Sequence, residues 1–203
     1  VLQEPAHGAR SLAVLGSLPA QTPLATCLAA WACDRGHRPT APLSDPAAQP
    51  LRMDRGHAPG ADRPEVHEVI RRWRQALCLS NEERTAFRDV LAGVRAVAQL
   101  WSHQGVAGRK RLAGTAWFPG AVQILKVVEP GLADGVCKDV EALAATPGGV
   151  SPDPWVTGDD LVTMGFSPGR AFKRLLDRLY DEQLEGKVNS AAELRELARR
   201  LRV

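Results

Sequence analysis

The side chains best suited to chemistry in this chain are basic. Three groups stand out: Arg71, Arg72 and Arg74; Arg109, Lys110 and Arg111; and Arg170, Lys173 and Arg174. Guanidinium and ammonium groups donate hydrogen bonds and accept none, so phosphates and carboxylates are their natural partners. Residues 63–126 hold eleven Lys/Arg against five Asp/Glu, a local charge of +6, whereas residues 151–203 hold nine of each sign. The middle of the chain is therefore where a polyanionic partner is expected. The competing reading is a set of solvated helix faces.

Other chemistries find little support. The four cysteines (Cys27, Cys33, Cys78 and Cys137) form no C-x-x-C pair, and their spacing fits neither a zinc site nor a disulfide framework. A reduced, cytoplasmic setting suits them best. Cys33 and His37 could share a helix face, but two ligands make a poor metal site. There is no G-x-S-x-G elbow and no G-x-x-x-x-G-K-[ST] phosphate loop. No apolar run is long enough to cross a bilayer and no signal peptide is visible, so no membrane partner is expected.

The elements that must carry the basic groups read as helices. Ala, Leu, Arg and Glu are plentiful, while aromatics make up only 5% of the 203 residues. Residues 1–33 suggest a short helical segment broken by Pro19 and Pro23. Residues 34–64 are rich in Pro, Gly and Asp, show no period and carry the tetrapeptide DRGH twice; a flexible insertion is expected there. Residues 65–146 then read as a helical body. Val66, Val69, Ile70, Trp73 and Leu77 form one buried stripe. Ser80 and Glu83 make a capping box that opens a long helix with the stripe Phe87, Val90, Leu91, Val94, Ala98 and Trp101. Arg109, Lys110 and Arg111 could start another helix, which Pro119 and Gly120 should interrupt. Residues 121–128 and 132–145 are further helix candidates. The turn-rich stretch 146–154 suggests a junction, with residues 147–203 forming a small helical tail. There Ser167 is the expected N-cap and Pro168 the first residue of a helix with the stripe Phe172, Leu175, Leu176 and Leu179. Gly186 should end it, and Ser190 with Glu193 should open a last helix. No alternating strand is evident. The fold class is all-α, an irregular helical bundle followed by the tail.

The stretch 155–193, WVTGDDLVTMGFSPGRAFKRLLDRLYDEQLEGKVNSAAE, is the most specific in the chain. It resembles the C-terminal signature of the class II tRNA nucleotidyltransferase and bacterial poly(A) polymerase family. In that family a T/S-G-x-D-L-x-x-x-G-x-x-P-G-x-x-[IF] string leads into an amphipathic helix and closes with Q-L-x-G-x-[IV]-x-[ST]. The matching residues are Gly158, Asp160, Leu161, Gly165, Pro168, Gly169 and Phe172, then Gln183, Leu184, Gly186, Val188 and Ser190. A second match, Leu77 to Arg84, resembles the family's L-x-L-S-N-x-E string. Together they cover roughly residues 65–203.

The resemblance implies a part that holds tRNA or other structured RNA. Gly165, Pro168 and Gly169 would present a helix N-terminus to phosphate, with Arg170, Lys173 and Arg174 following the backbone. The family's catalytic motifs, G-G-x-V-R-D and an Asp-x-Asp pair, do not occur, nor does the neck's E-D-x-x-R string; Asp159 and Asp160 are adjacent rather than spaced by one. The resemblance therefore implies that the Mg²⁺ ions and the nucleoside triphosphate belong to a catalytic head and neck that precede Val1 or sit on a separate chain, and that this chain alone carries no cofactor and adds no nucleotide. Some relatives carry a His-Asp phosphohydrolase core, but none of the five histidines here is followed by Asp. A second expectation, from a different class, is a stand-alone helical module that docks a separately encoded catalytic subunit.

Overall fold

The structure, a computed structural model, describes residues 12–36 and 56–201. His7, His37 and most of the insertion expected at 34–64 lie outside the described residues. Among those described there are ten α-helices, one 3₁₀ turn and no strand. The helices are α1 (Ala13–Gly16), α2 (Leu24–Asp34), α3 (Pro64–Leu77), α4 (Asn81–Leu100), α5 (Val106–Ala113), α6 (Phe118–Val128), α7 (Pro130–Ala144), α8 (Gly158–Thr163), α9 (Arg170–Leu184) and α10 (Ala191–Arg200); the 3₁₀ turn is Trp101–His103. The chain divides into two compact units, Val1–His103 with Leu112–Asp139, and Gln104–Arg111 with Val140–Val203. The stretch carrying Arg109, Lys110 and Arg111 thus groups with the C-terminal unit.

The first unit is organised around α4. Its start is fixed by the capping box: the Glu83 N–H donates to Ser80 Oγ (3.2 Å) and the Ser80 N–H donates back to Glu83 Oε2 (2.9 Å). The expected stripe is mostly inside, with Phe87, Val90, Leu91, Val94 and Trp101 buried and Ala98 half-buried. Ala92, Gly93, Ala96 and Val97 are buried as well, because α2, α3 and α6 all pack against this one helix. Two close approaches make that possible. A Cβ on Gly93 would collide with the Trp117 ring, and one on Gly120 would collide with the Thr26 hydroxyl. An aromatic chain links three helices: Trp31 lies 4.4 Å from Trp73, and Trp73 lies 5.2 Å from Phe87, centroid to centroid.

Three sequence expectations shift in this unit. Leu77, assigned to the buried stripe of α3, is 40% exposed. It occupies the last helical turn, just before Cys78 takes a left-handed conformation (φ 52°) and reverses the chain. Pro119 does not interrupt a helix but falls in the first turn of α6, where a missing N–H leaves no intrahelical bond unmade. For the same reason α7 begins at Pro130, two residues before the expected 132.

The second unit has its own core. Val156, Leu161, Leu179, Leu194 and Ala198 are buried, and Met164, Phe166, Phe172, Leu175, Leu176, Val188 and Leu197 pack against them. Most residues that carry the family resemblance serve this scaffold. Thr157 and Asp160 form a capping box on α8. Gly165 (φ 83°) and Gly186 (φ 68°) close α8 and α9 with paired bonds: Gly165 N–H to Val162 O and Phe166 N–H to Leu161 O, then Gly186 N–H to Gln183 O and Lys187 N–H to Glu182 O. Gln183 is buried and clamps the preceding loop, donating to Asp153 O (2.8 Å) and accepting from the Trp155 N–H (2.9 Å). Ser190 caps α10, but Glu193 reaches the Asn189 N–H instead of completing a box with Ser190.

The start of α9 also differs from expectation. The helix opens at Arg170 with Gly169 as N-cap, two residues later than a start at Pro168. Glycine is a poor helix former, so leaving Gly169 outside the helix avoids about 1 kcal/mol of backbone cost.

Candidate nucleic-acid interface

The contiguous basic triplet on α5 is drawn into the second unit. Lys110 is 3% exposed, and its Nζ donates to Thr146 Oγ1 at 2.8 Å. Burial pushes its pKa below the ordinary lysine value. Arg111 donates from Nε to Asp181 Oδ1 (2.6 Å) and from a terminal nitrogen to the Asp177 carbonyl (2.9 Å). Its guanidinium also lies 5.0 Å from the centre of the Tyr180 ring. Arg109 is half-buried and is not free of partners within the chain. Lys110 and Arg111, expected to meet RNA, are therefore occupied in holding α5 to the 140–201 segment of their own unit.

Arg71 and Arg74 have a different setting. They line a hollow of about 300 Å³ between α3 and α4, together with His67, Ile70, Arg84, Thr85 and Arg88. Positions 67, 71 and 74 share one face of α3, and positions 84 and 88 share one face of α4. Three residues join the two helices, so the basic faces meet across a tight helical hairpin. Among the described residues, no carboxylate lines the hollow. Arg72 is exposed and does not line the hollow.

Two of the four arginines have internal partners. Arg71 pairs with Glu68 at 2.8 Å, an exposed contact, and Arg88 pairs with the buried Asp89 at 3.2 Å. His57 joins the second pair, its Nδ1 2.7 Å from Asp89 and 2.9 Å from Arg88. Arg74 and Arg84 have no carboxylate within ion-pair distance among the described residues. His67, Arg84 and Arg88 were not singled out from the sequence. The available signal was the i, i+4 spacing of Arg84 and Arg88 on the neighbouring helix, off the Phe87, Val90 and Leu91 stripe, and of His67 with Arg71 on α3.

The outer face of α9 is the second exposed basic surface. Pro168 and Gly169 are exposed, and the N-cap Gly169 makes no side-chain cap bond at the helix start. Arg170, Lys173 and Arg174 are exposed, and so is Arg178. Arg170, Arg174 and Arg178 recur every fourth residue, which sets three guanidiniums along one side of the helix. Gly165 is exposed as well, and its positive φ closes α8. The arginines of both surfaces stay protonated throughout the ordinary pH range. Each can bind and orient an anion. No family model matches the chain, and no curated protein or solved structure matches it.

Proposed function

We propose that this chain is the RNA-holding helical part of a template-independent RNA nucleotidyltransferase, similar to the body and tail of the tRNA nucleotidyltransferase and poly(A) polymerase family. Its task in this reading is to grip tRNA or another folded RNA by shape and phosphate contacts while a separate catalytic head forms the bond. The observation that carries the reading is the outer face of α9. Within the stretch that resembles the family's tail, an uncapped helix start and three arginines at four-residue spacing stay exposed, although their neighbours in the same stretch are used for caps and core.

The test is a titration of the chain with tRNA across about 50 to 300 mM salt. Each phosphate contact contributes about −0.9 to the slope of log affinity against log salt. Binding at micromolar concentration or tighter is expected, with a slope that becomes shallower by about two in Arg170→Gln/Arg174→Gln. Binding that ignores salt, or that is unchanged in this double variant, refutes the reading.

A further inference from the structure

We propose that the hollow between α3 and α4 is a binding site for two adjoining phosphate groups. The hollow lies outside the 155–193 stretch that carries the RNA reading; a free polyphosphate in it goes beyond that reading, whereas RNA phosphates in it would rest on it.

The charge arrangement points to the ligand. Four guanidiniums from two helices line one hollow, and no carboxylate lines it among the described residues. Glu68 and Asp89 balance Arg71 and Arg88. Among the described residues, His67 has one long acidic contact, to Asp62 at 3.8 Å between two exposed side chains. Arg74 and Arg84 are left as an excess of two positive charges. Like charges gathered at one place oppose folding unless something offsets them, and two negative charges on a ligand would do so.

The shape agrees with that charge. About 300 Å³ falls at the lower end of the range for small-ligand pockets and exceeds what one contact on an open surface needs. Guanidinium forks match phosphate oxygens in pairs, the Thr85 hydroxyl adds a donor, and buried Ile70 forms an apolar floor. The phosphates can come from two sources: a free polyphosphate, or successive phosphates of an RNA backbone.

Calorimetric titration of the full chain with inorganic pyrophosphate at low salt tests the site. Saturable binding is expected, tighter than for orthophosphate and at least roughly tenfold weaker in Arg74→Gln/Arg84→Gln. Arg170→Gln/Arg174→Gln should bind pyrophosphate like the parent, which separates this site from the α9 reading. Arg74→Lys/Arg84→Lys keeps the charge but loses the fork, so it should fall between the parent and the glutamine variant; it also serves if the glutamine variant misfolds. Competition then identifies the source. Displacement of pyrophosphate by tRNA supports the site with RNA phosphates in it, and retention beside bound tRNA supports it with a free polyphosphate. Absence of saturable pyrophosphate binding, or equal loss in the α9 variant, overturns the proposal. Equal affinity for orthophosphate overturns the two-phosphate assignment.

Discussion

Arg109, Lys110 and Arg111 are adjacent in sequence, whereas Arg71, Arg74, Arg84 and Arg88 are spread over eighteen positions. The structure inverts their apparent importance. The adjacent set is dispersed: Lys110 goes inside, Arg111 is bound by Asp181 and Tyr180, and Arg109 is half-buried. The spread set is gathered around one hollow. Helix geometry is the cause. Consecutive residues sit about 100° apart around a helix, so three in a row cannot all face the same way, whereas positions three or four apart can. A run of basic residues in a sequence is therefore a weaker sign of a basic surface than two spaced sets on adjoining helices.

That contrast can be broken by stability measurements. Arg111→Ala should destabilise the second unit the most, by about 1–3 kcal/mol, because it removes two charge-assisted hydrogen bonds and a ring contact at a side chain that is only 18% exposed. Its partners are partly solvated, which places the value toward the lower end. Denaturant melts followed by circular dichroism would show it, and an unchanged midpoint would mean that the triplet is not structural after all.

Ser80→Ala should cost about 1 kcal/mol by removing the cap of the helix on which Arg84 and Arg88 stand. It should also loosen anion binding in the hollow; stability lost without any change in pyrophosphate binding would separate the hollow from the start of α4. Cys78→Gly should raise stability by roughly 0.5–1 kcal/mol, since glycine takes the left-handed conformation at that reversal without a Cβ clash. A fall in melting temperature would contradict this. Arg74→Gln/Arg84→Gln should lower stability by no more than about 0.5 kcal/mol, because neither side chain has an ion-pair partner among the described residues. A loss as large as that from Arg111→Ala would erase the contrast.

The smallest effect should appear only in acid. Hydrogen bonds from the Thr157 N–H and hydroxyl, and then from Arg195, hold the Asp160 carboxyl below its ordinary pKa. A depressed carboxylate pKa stabilises the folded state above the unfolded value and loses that contribution as pH falls through the folded value. Asp160→Asn should therefore flatten the decline of stability with pH below about pH 4. Parallel acid-unfolding curves for parent and variant would show that this cap carries no such linkage.

The legibility of the chain follows the range of the forces involved. The caps at Ser80 and Ser190 and the glycine at 186 could be read directly, because a cap or a left-handed turn is decided by neighbours within a few residues; Pro64, placed in the insertion, instead opens α3. The stripes on α3, α4 and α9 were legible through their period, with Leu77 the exception at a helix end. The misplaced helix starts at Pro119 and Gly169 have a local origin too. A proline fits the first turn as readily as it breaks an interior, and Ser167 and Gly169 compete as N-caps.

By itself, the sequence determined that the fold is helical, where the capped helices α4 and α10 begin, and which faces are apolar, since these depend on short-range hydrogen bonding and on the 3.6-residue period. Only the tertiary structure decided which cations stay outside. Lys110 is buried because Thr146, thirty-six positions away, is folded against it. Arg84 faces the same hollow as Arg74 because α3 and α4 turn back on each other at Cys78. Whether a charge is free or matched depends on what the fold places opposite it, and local sequence does not carry that information.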